Sequence, residues 1–264
     1  MRTNQTKQKL QNGEIAVGIF TLSADPHVTG VIAATGFDFV IYDLEHTSLT
    51  FERLEWLVRT ADACGITPMV RVASGEKRDL LPALECGVQG VMVPVVETEA
   101  QAREAVRHAR YFPEGQRGMY YLGYPSGYAG LSVRDHFASA NRELLLIAQI
   151  ETAQGVENAA AIAAVPGIDV VFVGPADLSQ SLGIPGEWDD PRLLAAVERV
   201  LGAAAAAGKC AGVLPTNPTR AAEWAAAGAR FQTWNQEMTI FKQALAQEAE
   251  RIERTLGWRR RVVP

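Results

Sequence analysis

Residues 67–110, TPMVRVASGEKRDLLPALECGVQGVMVPVVETEAQAREAVRHAR, contain two short apolar runs, and each run is followed by a longer segment with charged residues. The runs Thr67–Val72 and Gly90–Val93 are almost continuously hydrophobic, as parallel strands covered on both faces are. The segments Glu76–Glu85 and Glu99–Arg110 show helical spacing, and Gly87 stands where a glycine closes the last turn of a helix. The stretch therefore predicts two successive strand–helix units.

The same alternation extends along the chain. Six further strands are predicted, at Ala16–Phe20, Phe39–Asp43, Leu144–Ile150, Val170–Val173, Lys209–Leu214 and Phe231–Thr233. Six further helices are predicted, at Pro26–Thr35, Phe51–Cys64, Ala153–Ala164, Pro191–Ala207, Pro218–Ala227 and Glu237–Leu256. Eight strand–helix units close most simply into one α/β domain over residues 1–264, a (β/α)8 or TIM barrel. An open doubly wound sheet is the alternative, but the turn after the first strand lacks the GxGxxG pattern typical of that fold.

Composition excludes several classes of partner. The net charge of −5 argues against binding to nucleic acid, and the basic cluster Arg259-Arg260-Arg261 is interpreted as a solvated tail. No unbroken apolar stretch approaches the ~18 residues of a membrane span. The N-terminal residues are polar and show no signal-peptide pattern. Three cysteines, far apart and without a CxxC motif, are predicted to be buried thiols in a reducing compartment. We therefore expect a cytoplasmic protein with no membrane partner.

One segment interrupts the alternation. Residues 111–141 are predicted to form a long loop rich in Tyr and Gly, inserted after the fourth helix. Loops of this length in a compact domain are usually functional or mobile. A lid over the barrel and an ordered surface or oligomer contact are both consistent with it.

Polar residues follow the predicted strands at the end where barrel enzymes carry their active sites. Charged groups at the ends of buried strands are costly to desolvate unless they are paired or bind a ligand. The polar residues at these positions are Asp43, Glu45 and His46 near the end of the second strand, Arg71 at the end of the third, Gln149 and Glu151 at the end of the fifth, and Asp177 after the sixth.

Glu151 and Asp177 follow adjacent strands and together form a hard-oxygen pair suited to Mg²⁺ or Mn²⁺. Either one alone is equally consistent with a helix N-cap or a first-turn carboxylate. Arg71 is either a substrate contact or a partner that neutralises Asp43 or Glu45. Asp43 stands three residues before His46, within reach to hold its imidazole in one tautomer.

The turn Gly174–Ser179 leads from the sixth strand into a helix, and backbone N–H groups at such a turn can hold a small carboxylate. Phosphate is less favoured, because the turns after the seventh and eighth strands lack the glycine-rich sequences of phosphate-binding barrels. No lysine ends a strand on this rim, so a Schiff-base mechanism is not expected. The five lysines are Lys7, Lys9, Lys77, Lys209 and Lys242.

The chain resembles the HpcH/HpaI family of metal-dependent (class II) pyruvate or 2-oxo acid aldolases. The matching stretches are GFDFVIYDLEHT, PMVRVA, GVQGVMVPVVETEAQAREAVRHARYFPEGQRG, IAQIETAQGVENAAAI and VFVGPADLSQSLG. The order DxEH, QIET and GPxDLS is specific in combination, although each piece alone is weak. The resemblance implies a lyase that cleaves or forms the C–C bond of 4-hydroxy-2-oxo acids, giving pyruvate or a related 2-oxo acid and an aldehyde through a metal-stabilised enolate.

The resemblance also implies residue roles. Glu151 and Asp177 would bind a divalent Mg²⁺, Mn²⁺ or Co²⁺ ion, and Arg71 would steady the keto oxygen. His46, oriented by Asp43, would be the general base. The substrate carboxylate would lie against the backbone of Pro175, Ala176 and Asp177, whereas Glu45 and Gln149 would contact the substrate or the metal ligands.

Two regions depart from the family pattern, MYYLGYPSGYAG after Gly118 and FQTWNQEMTI around the eighth strand, and they put the second substrate in doubt. Three alternatives stay open: an oxaloacetate decarboxylase, a malyl- or citramalyl-CoA lyase, and a barrel that only binds its ligand. The family commonly forms hexamers, trimers of dimers with exchanged C-terminal helices. We therefore expect a homo-oligomer that uses residues 237–256 and the Tyr-rich segment, and a monomer is the alternative.

Overall fold

A computed structural model describes residues 2–259, in which eight parallel strands form a closed barrel with each strand paired to the next and the last paired to the first. The strands are β1 Ala16–Thr21, β2 Phe39–Asp43, β3 Thr67–Arg71, β4 Gly90–Val93, β5 Leu145–Ile150, β6 Val170–Val173, β7 Cys210–Val213 and β8 Ala229–Gln236. The helices are α1 Gln5–Gln11, α2 Pro26–Ala34, α3 Phe51–Cys64, α4 Lys77–Glu85, α5 Glu99–Ala109, α6 Val133–Glu143, α7 Ala153–Glu157, α8 Ala159–Ala163, α9 Pro175–Ser181, α10 Pro191–Ala206, α11 Pro218–Ala226 and α12 Glu237–Leu256. The predicted (β/α)8 barrel is confirmed.

Large side chains fill the barrel interior, and glycines make room for them. Phe39 on β2 and Phe231 on β8 stack with ring centroids 4.3 Å apart. A Cβ atom at Gly18 would collide with the Phe39 ring, and one at Gly90 would lie 2.7 Å from Met69. The interior is therefore a packed core and not a channel, which leaves the strand ends as the place for chemistry.

Outer helices such as α3, α5 and α10 bury one face against the strands. Helix α3 illustrates the local causes: the Thr50 side chain accepts a hydrogen bond from the Arg53 amide at the N-cap, and Gly65 takes the left-handed conformation at the C-terminus with φ 76°. Leu54, Leu57, Val58 and Ala61 recur every three to four positions and are buried. No helix within residues 2–259 has an apolar stretch long enough to cross a membrane.

Helix α1 covers part of the end of the barrel at which the strands begin, and it was not among the predicted helices. The Asn4 amide group donates to the carbonyl oxygens of Gln89 and Glu143, at 2.8 and 2.9 Å. Leu10 is 6% exposed and packs into the lower end of the barrel core. A polar segment thus forms a helix because its tertiary hydrogen bonds favour it.

Several predicted boundaries and environments change. The loop predicted at residues 111–141 contains α6, which begins where Ser132 accepts a hydrogen bond from the Asp135 amide. The helix predicted at Ala153–Ala164 is divided at Asn158, whose side chain donates to the Glu97 carbonyl. Cys64 is exposed, contrary to the predicted burial, whereas Cys86 is buried and Cys210 half-buried, all as free thiols. Arg260 and Arg261 of the predicted basic tail lie outside the described residues.

Helix α12 has the predicted bounds, but it does not bury its apolar stripe in this chain. None of its residues is buried, and Phe241, Leu245 and Ile252 are 57%, 55% and 43% exposed. Its main contacts with the barrel are made with β1 and β8, and Ile240 is half-buried against the core. The helix therefore carries an apolar surface that the single chain leaves uncovered.

Candidate functional site

A cleft of about 320 Å³ lies at the carboxyl ends of the strands. Four of the seven polar residues predicted from the sequence line it, on the loops that follow β2, β5 and β6, whereas Asp43, Arg71 and Gln149 do not. Its lining residues are Glu45, His46, Val95, Glu151, Thr152, Asp177, Gln180 and Ser181.

Arg71 and Asp43 form a buried ion pair at the base of this rim. They are register partners on β3 and β2, which brings their side chains together at the strand ends. The Arg71 Nε and Nη2 atoms donate to Asp43 Oδ1 and Oδ2, at 2.9 and 2.7 Å. Asp43 is fully buried and Arg71 is 7% exposed. The guanidinium is therefore held in a fixed plane by a two-point contact.

Glu45 is a second carboxylate beside Arg71. Its Oε2 atom lies 3.2 Å from Arg71 Nε, but the single N–H of that atom already points at Asp43. Glu45 Oε2 is buried and accepts no hydrogen bond from any described residue. Burial raises the pKa of Glu45, and the charge of Arg71 opposes that shift. An oxygen in this state is available to accept a hydrogen bond from a substrate hydroxyl or a water molecule.

His46 lies on the solvent side of the cleft, and its environment corrects one prediction. Its side chain is 59% exposed, and Nε2 lies 3.9 Å from Glu45 Oε2. Asp43 was expected to orient this imidazole. Its two oxygens instead accept from Arg71, and Oδ1 also accepts from the Glu45 amide. Asp43 thus positions Arg71, and Glu45 is the carboxylate nearest to His46.

Glu151 is buried directly after β5, with 3% of its surface exposed. Its Oε1 accepts a hydrogen bond of 2.8 Å from the Val95 amide, and its Oε2 accepts from the Gln149 side chain. Burial raises the pKa of Glu151 to about 7; the Val95 hydrogen bond opposes the shift and the charges of Glu45 and Asp177 add to it. A buried carboxylate with two neighbouring acids favours either a proton or a cation.

Asp177 stands in the first turn of α9 and is exposed. The N-cap of α7 is Thr152 and the N-cap of α9 is Gly174, so neither Glu151 nor Asp177 is an N-cap residue. Asp177 does occupy a first-turn position, where a carboxylate complements the helix dipole.

Pro175, Ala176 and Asp177 form the start of α9, where a substrate carboxylate was predicted to bind. Proline has no N–H group, so Pro175 contributes shape only. The hydrogen-bond donors at this turn are the backbone amides of Ala176 and Asp177, which precede the first intrahelical bond from Leu178 to Gly174. Of the three residues predicted to contact the substrate carboxylate through their backbone, only Ala176 and Asp177 can therefore donate a hydrogen bond.

Gly174 lies so close to the side chains of Glu151 and Gln149 that no larger residue fits beside them. A Cβ atom at this position would lie 2.5 Å from Glu151 Oε2 and 2.7 Å from Gln149 Nε2. Gly174 has φ −91° and ψ 92°, which any residue can adopt. The glycine is therefore required by the close approach of Glu151 and not by backbone conformation.

The donor set fits a divalent cation. Within residues 2–259 no group of three or more His, Cys, Asp or Glu side chains surrounds one point. A Mg²⁺-type ion is usually bound by one or two carboxylates, with water and substrate oxygens completing its shell. Glu151 and Asp177, which both line the cleft, are two carboxylates of this kind.

Four residues that line the cleft were not predicted from the sequence, Val95, Thr152, Gln180 and Ser181, and of these Val95 contacts Glu151. It lies two residues after β4, is 43% exposed in the cleft, and has φ 52°. A positive φ is an outlier for a β-branched residue, and in this conformation its amide donates to Glu151. The only available signal was its place immediately after Pro94 at the end of a strand.

Comparison with known proteins places these residues in a family. The family model described as HpcH/HpaI aldolase/citrate lyase matches residues 16–244. The chain is 37% identical over 241 residues to a hydroxypyruvate/pyruvate aldolase of Delftia acidovorans, covering 91% of this chain and 89% of that one. It is 34% identical to a 2-keto-3-deoxy-L-rhamnonate aldolase of Klebsiella pneumoniae, covering 92% and 91%.

Solved structures agree with this placement. An HpcH/HpaI aldolase from Desulfitobacterium hafniense superposes with a TM-score of 0.91 at 29% identity, covering 96% of this chain and 98% of that chain. The citrate synthase SbnG superposes with a TM-score of 0.86 at 34% identity, covering 94% and 97%. The family predicted from the motifs is confirmed. The chain therefore belongs to the HpcH/HpaI aldolase/citrate lyase family.

Proposed function

We propose that the protein is a metal-dependent carbon–carbon lyase, an aldolase that cleaves or forms 4-hydroxy-2-oxo acids. The products of cleavage would be pyruvate or a related 2-oxo acid and an aldehyde. The observation that carries the proposal is the arrangement of Glu151 beside Arg71 and Asp177, on a chain whose relatives along nine-tenths of its length are named aldolases.

Glu151 and Asp177 would hold the divalent cation, and Gly174 leaves the space that Glu151 requires. A cation bound there would supply Lewis-acid polarisation of the keto group of the 2-oxo acid. The Val95 amide and the Gln149 side chain hold the two oxygens of Glu151 in place. The choice among Mg²⁺, Mn²⁺ and Co²⁺ stays a prediction, to be tested by titration of the metal-free protein with each ion.

Arg71 supplies hydrogen-bond donors to the keto oxygen. A guanidinium has five N–H groups, and Asp43 engages two of them. The remaining donors are held in a fixed plane, so they can stabilise negative charge that develops on the oxygen without reorganising. Asp43 keeps the guanidinium in that plane, and the amides of Ala176 and Asp177 would receive the carboxylate of the substrate.

His46 would take the proton from the C4 hydroxyl during cleavage and return one during synthesis. Its exposure allows exchange of that proton with solvent, and Glu45 is the carboxylate nearest to it, at 3.9 Å. Glu45 also has a free buried oxygen that can accept from the same hydroxyl.

Exchange of the methyl protons of pyruvate in D₂O tests the proposal without knowledge of the aldehyde. The enzyme is incubated with pyruvate and Mg²⁺, Mn²⁺ or Co²⁺, the metal is removed with EDTA, and deuterium incorporation is measured by NMR. We expect incorporation in the wild type and none in Glu151→Gln or without metal. Incorporation at the wild-type rate in Glu151→Gln would contradict the assignment.

The alternatives from the sequence differ in what they release. An oxaloacetate decarboxylase would liberate CO₂ from oxaloacetate, and a malyl- or citramalyl-CoA lyase would require the CoA thioester. The two sequence relatives reported above, at 37% and 34% identity, are named for aldolase activity, which ranks aldol cleavage first, although the structural relative SbnG is named a citrate synthase. Side-by-side assays on a 4-hydroxy-2-oxo acid, oxaloacetate and malyl-CoA decide among them.

We further propose a homo-oligomer, with the hexamer of three dimers as the expected size. The support is α12, whose apolar stripe is exposed along its length in the single chain. Burial of such a surface between subunits is the usual outcome for contiguous apolar area of this kind. The cytoplasmic location expected from the sequence stays a prediction, to be tested by cell fractionation.

A further inference from the structure

A large cavity lies at the opposite end of the barrel from the cleft of Glu151. A cleft of about 1050 Å³ runs between α1, α6 and the loops that lead into β6 and β7. A smaller cleft of about 310 Å³ adjoins it, at the part of the barrel mouth that α1 leaves open. The two share Lys7, Asp169 and Lys209 among their lining residues.

These clefts are strongly basic on a chain whose net charge is −5. Together they are lined by six basic and two acidic side chains. Asp169, one of the two acids, already pairs with Lys7 at 2.9 Å and with Arg110 at 2.8 Å. The two acidic groups are thus paired with Lys7 and Arg110, and not with Lys209 or Arg230.

Two cations of the smaller cleft have no carboxylate partner within the described chain. Lys209 and Arg230 are both half-buried, and neither takes part in any ion pair of residues 2–259. The Nε atom of Arg230 is buried and donates no hydrogen bond. Half-buried cations normally have a counter-charge, because partial desolvation without one is unfavourable.

We propose that the smaller cleft binds a small dianion, of the phosphate or dicarboxylate type, between Lys209, Arg230 and Lys7. Two unpaired positive charges match two negative charges, and about 310 Å³ admits a molecule of that size. Lys and Arg donors arranged around a pocket are the usual recognition of both oxyanions and carboxylates.

The ligand would join parts of the chain that are distant in sequence. Lys7 belongs to α1, Lys209 immediately precedes β7, and Arg230 lies near the start of β8. An anion between them would tie the N-terminal helix to the barrel. We therefore expect binding to stabilise the fold and to protect the backbone amides of α1 from hydrogen exchange, with no direct contact to the active-site cleft.

Binding is tested on the full-length protein with sodium phosphate and sodium succinate, against sodium chloride at equal ionic strength. At a free ligand concentration of ten times Kd, the Tm of the protein should rise by about 3–5 °C. Lys209→Gln and Arg230→Gln should each weaken binding at least tenfold in calorimetry, whereas Lys209→Arg should retain it. The matched control is Arg142→Gln, which removes one charge from the same end of the barrel but an arginine already paired with Glu143.

Each outcome bears on the proposal. Protection of residues 5–11 by either anion, lost in Lys209→Gln and kept in Arg142→Gln, supports it, and the anion that protects identifies the ligand class. Equal loss in Arg142→Gln would mean a diffuse electrostatic effect and would overturn the site. A shift no larger than that of chloride, or protection confined to the loops around Glu151, would overturn it as well.

Discussion

Replacing Gly174 with alanine is a sharp test of the metal-site geometry. The added Cβ would lie 2.5 Å from Glu151 Oε2, and an ordinary contact begins at 3.4 Å, so the carboxylate has to move by about 0.9 Å. Metal ligands tolerate deviations of about 0.2 Å, and a misplacement of about 1 Å near reacting groups costs on the order of 10²-fold in rate. We expect Gly174→Ala to lower kcat/KM for aldol cleavage by roughly 10²-fold.

The assay measures pyruvate release from a 4-hydroxy-2-oxo acid with a lactate dehydrogenase couple, and calorimetry measures Mn²⁺ binding. The affinity for Mn²⁺ should fall by about 10–100-fold, which is the usual loss when a residue that positions a metal-binding side chain is changed. Gly202→Ala in α10 is the matched control, because nothing lies within 4 Å of its new Cβ. It should leave activity unchanged and stabilise the helix by about 0.5–1 kcal/mol. Wild-type Mn²⁺ affinity and activity within threefold in Gly174→Ala would refute the reasoning.

Four further outcomes are expected. His46→Ala should slow aldol cleavage by about 10²–10⁴-fold while Mn²⁺ affinity stays unchanged, and a collapse of Mn²⁺ affinity would instead make His46 a binding residue. Because the pKa of Glu151 is raised to about 7, its neutral form stabilises the metal-free protein at low pH, and that contribution is lost as pH rises through 7. Mn²⁺ affinity should rise about tenfold per pH unit up to pH 7 and then level off; an affinity independent of pH between 5 and 7 would contradict this. Borohydride treatment with pyruvate should add no mass to the protein, and a pyruvyl-lysine adduct would refute the absence of a Schiff base. Removal of the residues after Gln236 should reduce the mass found by light scattering, whereas a full-length mass of 28.6 kDa would rule out an oligomer.

The barrel could be predicted because its strands are short, nearly continuous apolar runs between helices that end in glycine. Two helices could not. Helix α1 contains one apolar residue that packs, Leu10, and is held by hydrogen bonds of Asn4 to distant carbonyls. Helix α6 follows a Tyr- and Gly-rich segment, and its only strong local signal is the Ser132 cap. Both helices depend on tertiary contacts, which the periodicity of the local sequence does not predict.

The residues of the candidate site could be located from the strand ends, and the ion pair of Arg71 with Asp43 was one of the alternatives, but the sequence did not decide which residues pair. Asp43 and His46 are close in sequence, which suggested a contact, whereas strand register joins Asp43 to Arg71, 28 positions away. The positive φ of Val95 is a property of the closed barrel, since its amide is directed at Glu151 on another strand. Partners across strands depend on register, which a single sequence specifies only indirectly.

The left-handed Val95 makes position 95 a place where selection for heat resistance and selection for turnover should enrich different residues. A strained backbone of this kind costs on the order of 1–3 kcal/mol, and Gly or Asn adopts a positive φ more readily than valine. Both keep the amide that Glu151 accepts from, whereas proline removes it. In a library at position 95 screened after a heat challenge, Gly and Asn should be enriched and Pro depleted. The same library screened for turnover alone should deplete Pro without enriching Gly, and enrichment of Val under both regimes would show that the strain is negligible.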